Sequence, residues 1–166
     1  MWAHLASGGA GSGMRWPARN PHTVTARMLG AYRSMAAFTQ LIDWTSFAPA
    51  SSPSDSVSVS SIPSKPLHCF ACRDQDQAVI WLLRDVSAKH RGTMPHRQPV
   101  RSVRLELSGM RTGTYRIYVW NTLLATLEEE QSGAVDTQNV LSLTIGRLTD
   151  DCAIAIRRVE RIADRL

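Results

Sequence analysis

The spacing of apolar residues changes once along this chain, and that change constrains the fold more than any other feature. Val24, Met28, Tyr32, Met35, Phe38 and Ile42 return every three or four positions, which places them on one stripe of an α-helix. Thr23 or Thr25 supplies a capping oxygen at its start. From Val57 onward the period is two. Short β-branched or aromatic runs fall around 67–73, 77–85, 100–107, 114–120, 139–145 and 152–158, separated by turn signals such as Arg73-Asp74-Gln75-Asp76, Ser108-Gly109 and Thr112-Gly113. With the Val57 segment and Leu123–Leu127 as further candidates, this predicts a mostly β chain, an antiparallel β-sandwich of seven to eight strands preceded by a helical segment.

The same reading divides the chain into residues 1–47, a Ser/Pro-rich linker at 48–56 and a sandwich over 57–166. In the first part Trp2–Ser7 reads as the end of a helix, Gly8–Gly13 as a break and Met14-Arg15-Trp16 as a short buried strand. In the strand around 114–120, Tyr115, Ile117 and Val119 share one face and are expected in the core. Arg116, Tyr118 and Trp120 share the other, either as an aromatic platform or as the junction with residues 1–47. Glu128–Glu130 reads as a solvated strand end or turn.

Charge and motifs remove several function classes. The net charge of +5 comes from 17 arginines and two lysines, spread from Arg15 to Arg165. A nucleic-acid partner would require them on one face or in one run, so none is expected. The longest strongly apolar run, Ala78–Leu83, is far short of a membrane span, and MWAHLASGGAGSG has neither the basic start nor the long apolar core of an export signal. No membrane partner is expected, and localisation stays open. Cys69 and Cys72 have the CxxC spacing, but in a strand positions i and i+3 point to opposite faces, so they are expected to pack rather than share a metal. His4, His68, His90 and His96 form no zinc spacing, and Gly9-Ala10-Gly11 lacks the preceding strand and the lysine of a phosphate loop. No G-x-S-x-G elbow is present. No cofactor or metal is expected.

The order of phrases resembles a known family. Gly8-Gly9-Ala10-Gly11-Ser12-Gly13-Met14-Arg15-Trp16-Pro17, followed by a helix ending in Ile42-Asp43-Trp44-Thr45-Ser46-Phe47, resembles the last strand and helix of a glycoside hydrolase (β/α)8 barrel of the cellulase and endo-β-mannanase type. Ala78-Val79-Ile80-Trp81-Leu82-Leu83-Arg84-Asp85 and Gly113-Thr114-Tyr115-Arg116-Ile117-Tyr118-Val119-Trp120-Asn121-Thr122 are similar to the small β-sandwich that follows the barrel in several such enzymes. The resemblance implies a C-terminal portion of such an enzyme, with a polysaccharide or oligosaccharide and the upstream barrel as its partners. A barrel takes about 250 residues, whereas only the first 47 are available here.

Glycoside hydrolysis of this type uses two carboxyl groups about 5 Å apart for retention and further apart for inversion. The family's catalytic glutamates stand at the ends of the fourth and seventh barrel strands, upstream of this chain, and residues 1–66 contain no glutamate. No catalytic residue is therefore assigned. By resemblance Trp16 takes the place of an aromatic platform under the sugar; the alternative is simple packing behind a Pro-terminated strand. Arg15 alternates with it and is placed to hold a carboxylate, while Arg19 and His22 on the following loop are candidates for sugar hydroxyls. The other reading of the whole chain is a stand-alone β-sandwich carbohydrate-binding or adhesion module. The helix separates the two: as part of a barrel it leaves its stripe exposed in the isolated chain, and in a module it buries that stripe on the sandwich.

Overall fold

The structure, a computed structural model, describes residues 1–9, 24–49, 56–62, 66–85 and 98–159. Among the described residues two helices, α1 (Trp2–Ala6) and α2 (Ala26–Thr39), precede eight strands: β1 (Val57–Ile62), β2 (Leu67–Arg73), β3 (Gln77–Arg84), β4 (Val100–Ser108), β5 (Gly113–Asn121), β6 (Thr126–Val135), β7 (Val140–Leu148) and β8 (Asp151–Arg158). They form two antiparallel sheets, β1-β4-β7 and β2-β3-β8-β5-β6. The expected mostly β sandwich is thus what the chain forms.

Alternation builds the core between the sheets. Ile80 and Leu82 of β3, Tyr115, Ile117 and Val119 of β5, and Ile154 and Ile156 of β8 point inward from the larger sheet. Val103, Leu105 and Leu107 of β4 meet them together with Leu141, Leu143 and Ile145 of β7. Full burial of one such side chain contributes roughly 1.5–3 kcal/mol. Gly133 of β6 has a steric reason: a Cβ there would lie 2.7 Å from Leu141 Cδ1.

One strand departs from the sequence reading. The segment 122–125 is the β5–β6 turn, and β6 runs from Thr126 to Val135, so Glu128–Glu130 lie within a strand rather than at its end. β6 is the outer strand of its sheet, where most positions face solvent, so no apolar alternation marks it. Its glutamates place charge on an edge that would otherwise invite another strand. Pairing shifts between Val119↔Glu129 and Trp120↔Leu127, which makes Glu128 the extra residue of a bulge.

The outer face of the five-stranded sheet carries the helices. Thr25 caps α2, its Oγ1 accepting a hydrogen bond from Met28 N at 3.2 Å. The C-terminal half of the stripe, Met35, Phe38 and Ile42, is buried with Trp2 and Leu5 of α1 against Cys72, Val79, Trp120, Ala153 and Ala155 of the sheet. Phe38 meets Trp2 edge-on at 5.3 Å and Trp120 at 6.3 Å. Trp120 Nε1 donates to the buried Ser34 Oγ at 3.0 Å. Trp120 is therefore the junction with the helical segment and not an exposed platform. Farther along, Val24 and Leu29 remain 40% and 46% exposed. Among the described residues no helix is long and apolar enough to cross a membrane.

Candidate functional site

Two turns and a loop meet at one end of the five-stranded sheet. In the β2–β3 turn Asp74 Oδ1 accepts from the backbone N–H groups of Asp76 and Gln77, both at 2.7 Å, and its Oδ2 accepts from Ala48 N at 2.9 Å. Arg111, in the β4–β5 turn, donates its N–H to Gln75 O at 2.9 Å. Beneath both turns lies Tyr115, whose hydroxyl donates to Arg111 O at 2.6 Å with Gln75 O at 3.0 Å. Burial pushes this phenol up to about 12, so it stays a donor throughout the ordinary pH range.

The loop after α2 is clamped by Gln77, a buried amide at the start of β3. Its Oε1 accepts from Asp43 N at 2.9 Å, and its Nε2 donates to Asp43 O at 3.0 Å and Ser46 Oγ at 3.1 Å. The Asp43 carboxylate accepts from Thr45 Oγ1 at 2.6 Å and Ser46 Oγ at 2.9 Å. These hydroxyls hold its pKa below the ordinary 3.8, with a smaller contribution from the Arg157 charge.

Between these supports lies a cleft of about 420 Å³ lined by Asp43, Ser46, Asp76, Gln77, Arg111, Arg116, Tyr118, Arg157, Arg158 and Val159. Asp76 stands between two arginines, with Arg111 Nη1 at 3.3 Å and Arg158 Nη1 at 3.7 Å. Arg116 Nη1 is 3.6 Å from Glu130. Four arginines against two aspartates leave a surplus of two positive charges. The hydroxyl donors that lower the Asp43 pKa favour its ionised form, so Asp43 is not tuned to give up a proton near neutrality.

A second polar centre lies on Asp151 at the start of β8. Trp81 Nε1 donates to its Oδ2 at 2.8 Å, and Thr122 Oγ1 lies 2.9 Å from both oxygens. Burial raises its pKa against the lowering effect of these donors.

The site residues read from the sequence, Trp16, Arg15, Arg19 and His22, lie outside the described residues. Cys69 and Cys72 do project to opposite faces of β2: Cys69 packs on the core between the sheets, and Cys72 lies under α1 with its Sγ 3.6 Å from Leu5 O. His68 faces Asp85 at 3.1 Å. Among the described residues no three His, Cys, Asp or Glu side chains cluster as metal ligands. Sequence reasoning missed the arginine cleft because its residues come from β5, β8 and the β4–β5 turn. The register that pairs Arg116 with Arg157 is invisible in a linear scan.

No family model matches the sequence, and no curated protein matches it. Among solved structures, α-L-fucosidase isoenzyme 2 from Paenibacillus thiaminolyticus is similar with a TM-score of 0.42 and 13% identity over 63% of this chain. The match spans 16% of that enzyme's chain.

Proposed function

We propose that the chain is a C-terminal, non-catalytic part of a glycoside hydrolase that acts on O-glycosidic bonds of a polysaccharide of the β-mannan or β-glucan type, with its two catalytic glutamates upstream on a (β/α)8 barrel of the cellulase or endo-β-mannanase type. The observation that carries this reading is the seating of a helix, Ala26–Thr39, and the loop after it that carries Ile42-Asp43-Trp44, on the outer face of a β-sandwich through Phe38, Trp120 and the Gln77 clamp. That is the order, helix then sandwich, of the resembled enzymes. Leu29 is nine positions before Phe38 and so half a turn round α2, which leaves an apolar residue on the side away from the sheet for the barrel. The sandwich then covers the barrel flank, and Trp16, Arg15, Arg19 and His22 are the residues assigned to the sugar.

The test is hydrolysis. The 166-residue chain is expected to release no reducing sugar from mannan or β-glucan, whereas the native polypeptide that contains it does, with kcat/KM reduced by Trp16→Ala. Cleavage by the short chain, abolished by changing one of its own carboxylates, would overturn the reading.

A specific observation favours a second reading, a stand-alone carbohydrate-binding or adhesion module. Met35, Phe38 and Ile42 are buried on the sheet, so the isolated chain covers half of its helical stripe by itself. Retention on an insoluble neutral glycan by a native chain of unchanged size, with no cleavage, would favour this reading.

A further inference from the structure

Arg116 and Arg157 are direct cross-strand partners on β5 and β8, and like charges in that position destabilise a sheet. Neither is fully neutralised. Among the described residues the Arg116 guanidinium has the 3.6 Å approach to Glu130, and the Arg157 guanidinium makes no hydrogen bond or ion pair, its charge acting on Asp43 only at longer range. Arg158 is similarly under-used, with a buried Nε lacking a hydrogen-bond partner among the described residues and its Nη1 at 3.7 Å from Asp76. Each guanidinium carries five N–H donors in a planar fork suited to a carboxylate. The cleft thus offers donors and charge that its own two aspartates do not saturate.

We infer that this cleft binds the carboxylate of a sugar acid, a uronate unit of an acidic polysaccharide or oligosaccharide. The carboxylate sits between Arg116 and Arg157 and relieves their repulsion. Tyr118, two residues after Arg116 on the same face of β5, is half-buried against the helix-side cluster and lines the cleft, where it offers the pyranose C–H face an aromatic neighbour. The volume of about 420 Å³ is within the range of small-ligand sites. An extended polyphosphate fits less well: its backbone needs a track of cations, and here the cations are confined to one cleft walled by Asp43 and Asp76 and flanked by Glu130. The choice of a sugar acid over another small carboxylate rests on the reading above of the chain as part of a glycan-acting protein, the acidic ligand of this cleft being distinct from the neutral β-mannan or β-glucan assigned to the upstream barrel.

The experiment is titration calorimetry of the 166-residue chain with trigalacturonate, using mannotriose, inorganic sulfate and a DNA oligonucleotide as comparison probes. Trigalacturonate is expected to bind, and Arg157→Ala or Arg116→Ala to weaken it at least about tenfold. Arg104→Ala, on the other sheet, leaves it unchanged. Thermal melts give a readout independent of affinity: trigalacturonate raises the melting temperature of the native chain and fails to raise that of Arg157→Gln. Absence of binding, binding indifferent to Arg116 and Arg157, or equally tight binding of sulfate or DNA would overturn the inference. None of these results bears on whether the native polypeptide cleaves mannan or β-glucan, so the two proposals fail separately.

Discussion

Replacing Phe38 with alanine tests whether the helical segment and the sandwich are one cooperative body. Phe38 is fully buried and touches the rings of Trp2 and Trp120. Loss of its burial costs about 1.5–3 kcal/mol, two edge-on aromatic contacts are each worth about 0.5–1.5 kcal/mol, and the cavity adds to both. The expected destabilisation is therefore about 3–5 kcal/mol, on the order of 10 °C in Tm for a chain of this length. Urea and thermal unfolding should be followed by far-UV circular dichroism and by tryptophan fluorescence, since Trp2, Trp81 and Trp120 all belong to this outer cluster. Both probes are expected to report one shared transition at the lower midpoint. Leu29→Ala, at an exposed position on the same helix, should change stability by no more than about 0.5 kcal/mol. A loss below about 1 kcal/mol for Phe38→Ala, or fluorescence that changes well before the strand signal, would refute the reasoning.

Three further predictions follow from buried or tethered groups. Asp151→Asn keeps one oxygen to accept from Trp81, lets the Thr122 hydroxyl accept from the new amide N–H, and removes a charge that burial penalises, so it is expected to stabilise the chain at pH 7. Because the folded-state pKa is raised above 3.8, the penalty is full above the folded value and disappears below 3.8, and the variant's advantage should shrink as the pH falls through that window. Asp151→Ala instead strands two donors and is expected to cost about 1–3 kcal/mol, read by urea unfolding. Asp43 has the opposite sign: its depressed pKa supplies stability present above 3.8 and lost as the pH falls through the lower folded value, so Asp43→Asn should flatten the acid limb of a pH–stability curve. Burial pushes the Cys69 and Cys72 thiols up to about 11 and raises Cys152 further. At pH 8 about one thousandth of either of the first two is thiolate, so an aromatic disulfide reagent should label the native chain slowly and all three thiols rapidly in denaturant.

The sandwich was readable because its central strands bury alternate positions, and that period survives in the sequence from Leu67 to Arg158. β6 was not, because Thr126–Val135 is a solvent-facing edge whose residues answer to solubility rather than to a core. The two faces of β5 were readable from alternation alone, but the partner of Trp120 was not: Ser34 lies 86 positions away and reaches it only after α2 docks. The arginine cleft was hidden for the same reason. Arg111, Arg116, Arg157 and Arg158 are spread along the sequence without forming a run, and strand pairing brings them to one end of a sheet.

The proposal that this chain is one part of a larger hydrolase is tested most directly by the size of the native polypeptide, measured in source cells with an antibody raised against residues 100–166. A band several times heavier than 18.4 kDa is the predicted result. A single band at 18.4 kDa would contradict it and favour the stand-alone module.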